Sequence, residues 1–183
     1  MNACRHSLHA LLDSMLERIQ TSQNEVWLLP GDDSIAEMEN FVGRAECHIA
    51  IVAGECYQRF FANFAFLLSC QEFLGNKGVL ELAFFTNVGI HGADLEAHLE
   101  QCVPSLLRFK QQYPDQVRLF LSAKRPVQHY GVADGRHMYF EDTGHALGKQ
   151  PGVLFRYDDP KFGHEWISRF ARYISLKAPE IQF

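Results

Sequence analysis

The sequence lacks the patterns that mark a disulfide framework, a secreted chain or a membrane protein. Its 183 residues contain five cysteines, an odd and scattered set with no CxxC pair. Such a set is typical of small buried side chains in a reducing compartment. Residues 1–20 hold no uninterrupted apolar stretch like that of a signal peptide, and no run approaches the roughly 18 apolar residues of a membrane span. We therefore expect a cytoplasmic protein that does not span a membrane.

A surplus of positive charge is also absent. The 17 Lys and Arg are outnumbered by 22 Asp and Glu, which gives a net charge of −5 with the nine His neutral. Nucleic-acid binding relies on clustered cations that neutralise phosphates, so this balance does not favour a nucleic-acid partner. The chain has no GxSxG, HExxH, Walker or GxGxxG pattern. No cofactor is therefore predicted.

Apolar and aromatic residues are abundant instead. The chain is 47% hydrophobic and has fifteen Phe, enough for a sizeable core in one domain. Residues 7–22 show the spacing of an amphipathic helix, and a short strand follows from Glu25 to Pro30. We predict that residues 1–33 form an N-terminal helix and strand packed on a domain of residues 34–183.

From residue 34 onward, helical and strand patterns alternate. Residues 47–53 and 79–86 are almost entirely apolar, as is typical of strands buried on both faces. Pro104 lies inside a long helical pattern and predicts a kink or two consecutive helices. Asp159 and Pro160 predict the start of a final helix. Alternating strands and helices imply crossovers, so we predict an α/β fold with a mixed, mainly parallel sheet sandwiched by helices.

The densest set of reactive side chains lies around a predicted hairpin. Asp134-Gly135 between two strands favours a type I′ turn, which pairs Ala133 with Arg136. In that register His129 lies on one face of the sheet, and His137 and Glu141 lie on the other. The pattern therefore does not predict a metal site.

Cationic side chains concentrate in the same region. Cationic side chains bind phosphate and carboxylate groups, so we predict a small anion site in this region. The alternative is ordinary solvated charge on edge strands. His91, in a loop that follows an apolar strand, is either a pocket residue or a plain surface histidine. The predicted ligand-binding set is His129, Arg136, Lys124, Arg125, Asp134 and His91.

The strand that ends in Val132-Ala133-Asp134-Gly135 resembles the motif strand of the phospholipase D superfamily, which carries His-x-Lys-x4-Asp. The order of elements over residues 34–176 is similar to one half of such an enzyme. Aligning Asp134 with the motif Asp puts Val127 at the nucleophilic His and His129 at the Lys. The Gly-Ser-x-Asn segment that follows the motif becomes residues 141–144.

The resemblance implies a reaction in which a His attacks phosphorus and a Lys holds the phosphate. Val127 cannot attack phosphorus, so the sequence predicts a degenerate, non-catalytic domain that binds an anionic ligand or a partner. The resemblance also implies a homodimer. One alternative is a hydrolase or phosphodiesterase that uses His129, His137, Glu141 or His91 as acid or base. A second is an interaction protein whose helix 7–22 docks a partner.

Overall fold

The computed structural model describes residues 24–28, 32–53, 63–85, 93–122, 129–142, 152–177 and 180. The strands in these ranges are β1 (Glu25–Leu28), β2 (His48–Val52), β3 (Val79–Phe85), β4 (Val117–Ser122), β5 (His129–Ala133), β6 (His137–Asp142) and β7 (Gly152–Arg156). The helices are α1 (Asp32–Gly43), α2 (Phe64–Gly75), α3 (Ala93–Cys102), α4 (Pro104–Gln112) and α5 (Pro160–Lys177). The predicted helix 7–22 lies outside the described residues, and the division at residue 33 stays a prediction.

The seven described strands form one mixed sheet in the order β1-β7-β6-β5-β2-β3-β4. The pairs β2–β3 and β3–β4 are parallel, and the other four pairs are antiparallel. The mixed sheet between helices is confirmed, but the expectation that it is mainly parallel is wrong. Each parallel pair is joined through described helices, whereas no described helix separates β4, β5, β6 and β7. Consecutive strands without a crossover helix pair as antiparallel neighbours, which accounts for β5–β6 and β6–β7, whereas β2–β5 and β1–β7 join strands that are distant in the chain.

Helices cover both faces of the sheet. Ile49 and Ile51 of β2 point to the face covered by α1, α2, α3 and α4, which we call the α1 face. Ala50 and Val52 point to the opposite face, under Trp166 and Phe170 of α5, which we call the α5 face. The apolar run of β2 is thus buried on both faces, as predicted. Each large apolar side chain buried in these layers stabilises the fold by about 1.5–3 kcal/mol.

Two predicted helix boundaries are confirmed. The helical pattern around Pro104 is two consecutive helices, with α3 ending at Cys102 and α4 beginning at Pro104. At the start of α5, the carboxylate of Asp159 accepts a hydrogen bond from the Phe162 N–H at 3.0 Å. Pro160 takes the first helical position, where a missing N–H costs nothing.

The two edge strands of the sheet, β1 and β4, differ in length and in what lies along their outer sides. β1 has four residues and pairs only with β7 among the described strands. β4 has six residues, and Phe120 forms an antiparallel bridge to Glu180 on its outer side. The Glu180 carboxylate also lies 3.7 Å from Lys110 Nζ of α4. The second outer strand is therefore partly covered by its own chain.

Candidate anion site

The turn between β5 and β6 has the backbone that its sequence predicts but a different register. Asp134 and Gly135 have φ values of 52° and 63°, and the Arg136 N–H donates to the Ala133 carbonyl at 3.0 Å. Ala133 nevertheless pairs with His137 in the ladder. The Arg136 carbonyl accepts a hydrogen bond from the Asp159 N–H at 2.9 Å. Arg136 thus lies outside the ladder, and its carbonyl contacts the segment before α5.

The change of register moves His137, Tyr139 and Glu141 onto the α1 face, where His129 lies. The predicted separation of His129 from Glu141 on opposite faces is therefore wrong. The two residues are direct cross-strand partners, and His129 Nδ1 lies 2.8 Å from Glu141 Oε2. Their side chains are only 11% and 21% exposed. This hydrogen-bonded pair is the candidate site.

His137 shares that face but lies at the other end of the hairpin. It pairs with Ala133, four residues along β5 from His129, a distance of about 13 Å. The His137 ring is buried, with Nδ1 3.2 Å from the Asp158 N–H and Nε2 3.1 Å from Arg136 Nε. Burial lowers its pKa, Asp158 opposes this shift, and Arg136 adds to it. His137 therefore belongs to a separate environment.

The Asp134 carboxylate is occupied by backbone donors. It accepts hydrogen bonds from the N–H groups of Glu46, Cys47 and His48 at 2.7, 2.9 and 2.8 Å. Three donors satisfy most of the lone pairs of a carboxylate. The structure thus gives Asp134 a role in tying the turn to the start of β2.

The other predicted ligand residues divide between the ends of the sheet and the undescribed segments. Arg136 Nε lies 3.5 Å from Asp158 Oδ1, at the end opposite to His129. Lys124, Arg125 and His91 lie outside the described residues. Within the described ranges, no three His, Cys, Asp or Glu side chains converge as a metal site would require.

His129 and Glu141 lie at the edge where the parallel strands β2, β3 and β4 end, which we call the carboxyl edge. Val153 pairs with Glu141 on one side, and Ala53 follows Val52, the partner of Tyr130, on the other. Both flanking side chains are buried and apolar. The pair is therefore an isolated polar contact in an apolar row.

Three helices of the α1 face begin at this edge. α2 leaves β2 and returns to the start of the parallel strand β3, so its N-terminus lies at the carboxyl edge. α3 follows β3 and α1 follows β1, whose Leu28 pairs with Val153 beside Glu141, so both also begin there. A helix N-terminus carries about half a positive charge. The N-terminus of α2, whose first turn has no acidic residue, favours an anion at this edge.

A second polar cluster, missed from the sequence, lies on the α5 face across β2, β3 and β4. Glu81 Oε2 lies 2.8 Å from His48 Nε2, and Glu81 Oε1 lies 3.2 Å from Arg118 Nη1. The hydrogen bond to His48 and the charge of Arg118 hold the pKa of Glu81 below its usual range, against the effect of burial. Only the register of three strands brings these residues together, and no local signal in the sequence reveals it.

Comparison with known proteins defines the fold. No family model and no curated protein matches the sequence. Solved structures that it resembles include TrmBL2, an archaeal chromatin protein with a novel mode of DNA binding (TM-score 0.61, 12% identity, 96% of this chain). Nuc, a phospholipase D family member from Salmonella typhimurium, matches 87% of this chain and 98% of its own (TM-score 0.59, 8% identity).

NucT from Helicobacter pylori matches 86% of this chain and 98% of its own, with a TM-score of 0.54 and 10% identity. The chain spans 62% of the length of TrmBL2. These likenesses show that the fold is phospholipase D-like, as the order of elements predicted. None of the described helices is both long enough and apolar enough to cross a bilayer.

Proposed function

We propose that this phospholipase D-like domain is non-catalytic and binds a small oxyanion, a phosphate or a carboxylate, at the carboxyl edge through His129. The observation that carries the proposal is the 2.8 Å contact between His129 Nδ1 and Glu141 Oε2. A carboxylate on one ring nitrogen fixes the orientation of an imidazole and leaves the other nitrogen for a ligand. The domain then acts in regulation, with the bound anion as its signal.

Two further observations support an anion as the ligand. The N-terminus of α2, whose first turn has no acidic residue, lies at the same edge, as the connection from β2 to β3 requires. In the register of the phospholipase D motif, His129 occupies the position of the phosphate-binding Lys. The same register puts Val127 at the position of the nucleophile, which supports binding without turnover.

Isothermal titration calorimetry with inorganic phosphate tests the proposal. We expect His129→Ala to weaken phosphate binding at least about tenfold, the loss of one charge-assisted hydrogen bond. Arg136→Ala is the matched control, because Arg136 belongs to the same hairpin but lies at the opposite end, beside Asp158. The affinity of the Arg136→Ala variant for phosphate should stay within about twofold of the wild-type value. No heat of binding at millimolar phosphate would overturn the proposal.

The His129–Glu141 pair also favours a second candidate function, hydrolysis of a phosphodiester. A histidine held by a carboxylate, with one nitrogen left over, is an arrangement suited to general acid–base chemistry. Release of p-nitrophenol from bis(p-nitrophenyl) phosphate by the wild type, abolished in His129→Ala, would establish the enzyme and refute the non-catalytic reading. No release by either protein supports binding alone.

We also propose that two copies of the domain associate. Phe64 and Leu68 lie one turn apart on α2 and are 75% and 48% exposed, so they form an apolar patch. Replacing both by Ser should convert a dimer to a monomer in light scattering after size-exclusion chromatography. A wild-type chain that is monomeric at high micromolar concentration would contradict this association.

A further inference from the structure

We propose that the outer side of β4 is a strand-docking surface, and that residues 179–183 of the same chain occupy it as a further strand antiparallel to β4. The described residue of this segment is Glu180, which forms an antiparallel bridge with Phe120 of β4. The added strand continues that contact on both sides of Glu180. Its docking is independent of the proposed anion site.

The backbone of β4 is paired on one side only by the described strands. The Leu80 N–H of β3 donates to the carbonyl of Gln116, the residue before β4, at 2.8 Å. The backbone groups of successive strand residues point to opposite sides of the strand. Phe120 therefore faces β3 as Gln116 does, whereas Leu119 and Leu121 direct their N–H and C=O groups outward. Such outward groups are the ones that an added strand binds.

The bridge at Glu180 fits this alternation. Because Phe120 faces β3, Phe120 and Glu180 form a non-hydrogen-bonded pair, and the hydrogen bonds run between the residues on either side of them. In this register Leu119 lies opposite Ile181, with which it can exchange two hydrogen bonds. The segment begins with Pro179, and a proline is tolerated as the first residue of a strand because it has no N–H to offer the ladder.

The sequence of the segment has the period of a half-buried strand. Polar Glu180 and Gln182 alternate with apolar Ile181 and Phe183. Since Ile181 lies opposite Leu119, the register places Ile181 and Phe183 on the α1 face. Leu119 is fully buried there, in the core beneath the helices of that face. The apolar half of the segment thus extends the apolar row of the sheet.

A side-chain contact also holds Glu180 at this margin of the sheet. Its carboxylate lies 3.7 Å from Lys110 Nζ of α4, which donates to the Pro114 carbonyl at 3.1 Å. Glu180 follows α5, which ends at Lys177 and packs on the opposite face of the sheet. The segment therefore passes around the margin of the sheet and connects the helical layers of its two faces.

Nuclear Overhauser effects in the wild-type chain test how far the pairing extends. The Cα atoms of a non-hydrogen-bonded pair lie about 4.5 Å apart, which brings their Hα atoms close together. We expect an Hα–Hα cross-peak between Arg118 and Gln182, the next such pair after Phe120 and Glu180. Absence of this cross-peak would overturn the proposal. A cross-peak between chains, in a mixture of labelled and unlabelled protein, would assign the docked strand to a second copy and overturn it as well.

Proline substitutions at neighbouring positions of the segment provide a matched pair. Ile181→Pro removes an N–H that faces β4 and should accelerate hydrogen exchange of the Leu119 amide at least about tenfold. Gln182→Pro removes an N–H that points away from β4 and should change this rate by less than about twofold. The Arg118 amide, which faces β3, is the reference for an intact sheet. Equal exchange rates of Leu119 in the two variants would contradict the added strand.

Discussion

Asp134 and His48 are joined by two hydrogen bonds that run in opposite directions. The Asp134 N–H donates to the His48 carbonyl at 2.8 Å, and the His48 N–H donates to the Asp134 carboxylate at 2.8 Å. Glu46 and Cys47 donate to the same carboxylate. The turn between β5 and β6 is thereby held against the start of β2, which fixes the hairpin that carries His129 and Glu141.

Removal of the Asp134 carboxylate should destabilise the domain. Asp134→Gly retains the freedom to adopt the observed φ of 52° but loses three charge-assisted acceptor contacts, at an expected cost of about 2–3 kcal/mol. Asp134→Asn keeps one acceptor oxygen and tolerates positive φ, so its cost should be about half as large. Urea denaturation measures both. Equal stability of the Gly variant and the wild type would show that these contacts contribute nothing.

The first turn of α5 packs directly on the turn of the hairpin at Gly163. A Cβ at this position would lie 2.0 Å from the Gly135 carbonyl oxygen and 2.6 Å from the Arg136 nitrogen. These are backbone atoms, so Gly163→Ala should separate α5 from the turn and cost at least about 1–3 kcal/mol. Gly43→Ala is the control, because nothing lies within 4 Å of a Cβ at Gly43 in α1. Its effect on the midpoint of thermal unfolding should be neutral or stabilising.

His137 should make the fold sensitive to mild acid. Burial lowers the pKa of His137 in the folded state, so the unfolded chain binds a proton more readily as the pH falls. The contribution of neutral His137 to the free energy of unfolding is therefore fully present above the ordinary pKa range of histidine. It is lost below that range, by up to about 1.4 kcal/mol per pH unit. His137→Asn keeps an acceptor for the Asp158 N–H and removes this titration. The loss of unfolding free energy between about pH 7 and pH 5 should be smaller in the variant than in the wild type. Equal losses would contradict this assignment.

Among the polar residues of the α5 face, Glu81 should account for most of the stability that is lost in stronger acid. Because the folded state lowers the pKa of Glu81, its stabilising effect is present at neutral pH and lost as the pH falls below the ordinary carboxyl value of about 4.3. Glu81→Gln should cost about 1–2 kcal/mol at neutral pH and reduce the further loss in acid. Glu165→Gln is the comparison, since its ion pair with Arg169 is exposed and should contribute under about 1 kcal/mol. Equal costs for the two substitutions would refute the special role of Glu81.

Local features of the sequence predicted most of the elements. The boundary at Pro104, the cap at Asp159 and the positive φ of Asp134 and Gly135 depend on residues next to one another in the chain, and all three are confirmed. The buried strands β2 and β3 were predicted from runs that are almost entirely apolar. These features require no knowledge of which segments meet in the folded chain.

The candidate site depends on a contact that the sequence does not reveal. His129 and Glu141 were both candidate residues, but they share a face because Ala133 pairs with His137 and not with Arg136, whose carbonyl accepts from the distant Asp159 N–H. Asp-Gly prefers a two-residue loop, and a hairpin built on that loop would place His129 and Glu141 on opposite faces of the sheet. A register error of one residue exchanges every side chain between the faces of a strand. The chemistry of the site was thus harder to predict than the fold.

The bridge between Phe120 and Glu180 bears on the behaviour of this chain at high concentration. β4 is an outer strand with a largely apolar sequence, and an open row of backbone donors and acceptors on such a strand is a template for intermolecular sheet growth. Glu180 occupies part of that row and places a carboxylate beside it. The short β1 offers little length for the same process at the opposite side. In the described part of the chain, the two margins of the sheet thus limit pairing with a second chain in different ways, by a bridge from the same chain at β4 and by the short length of β1.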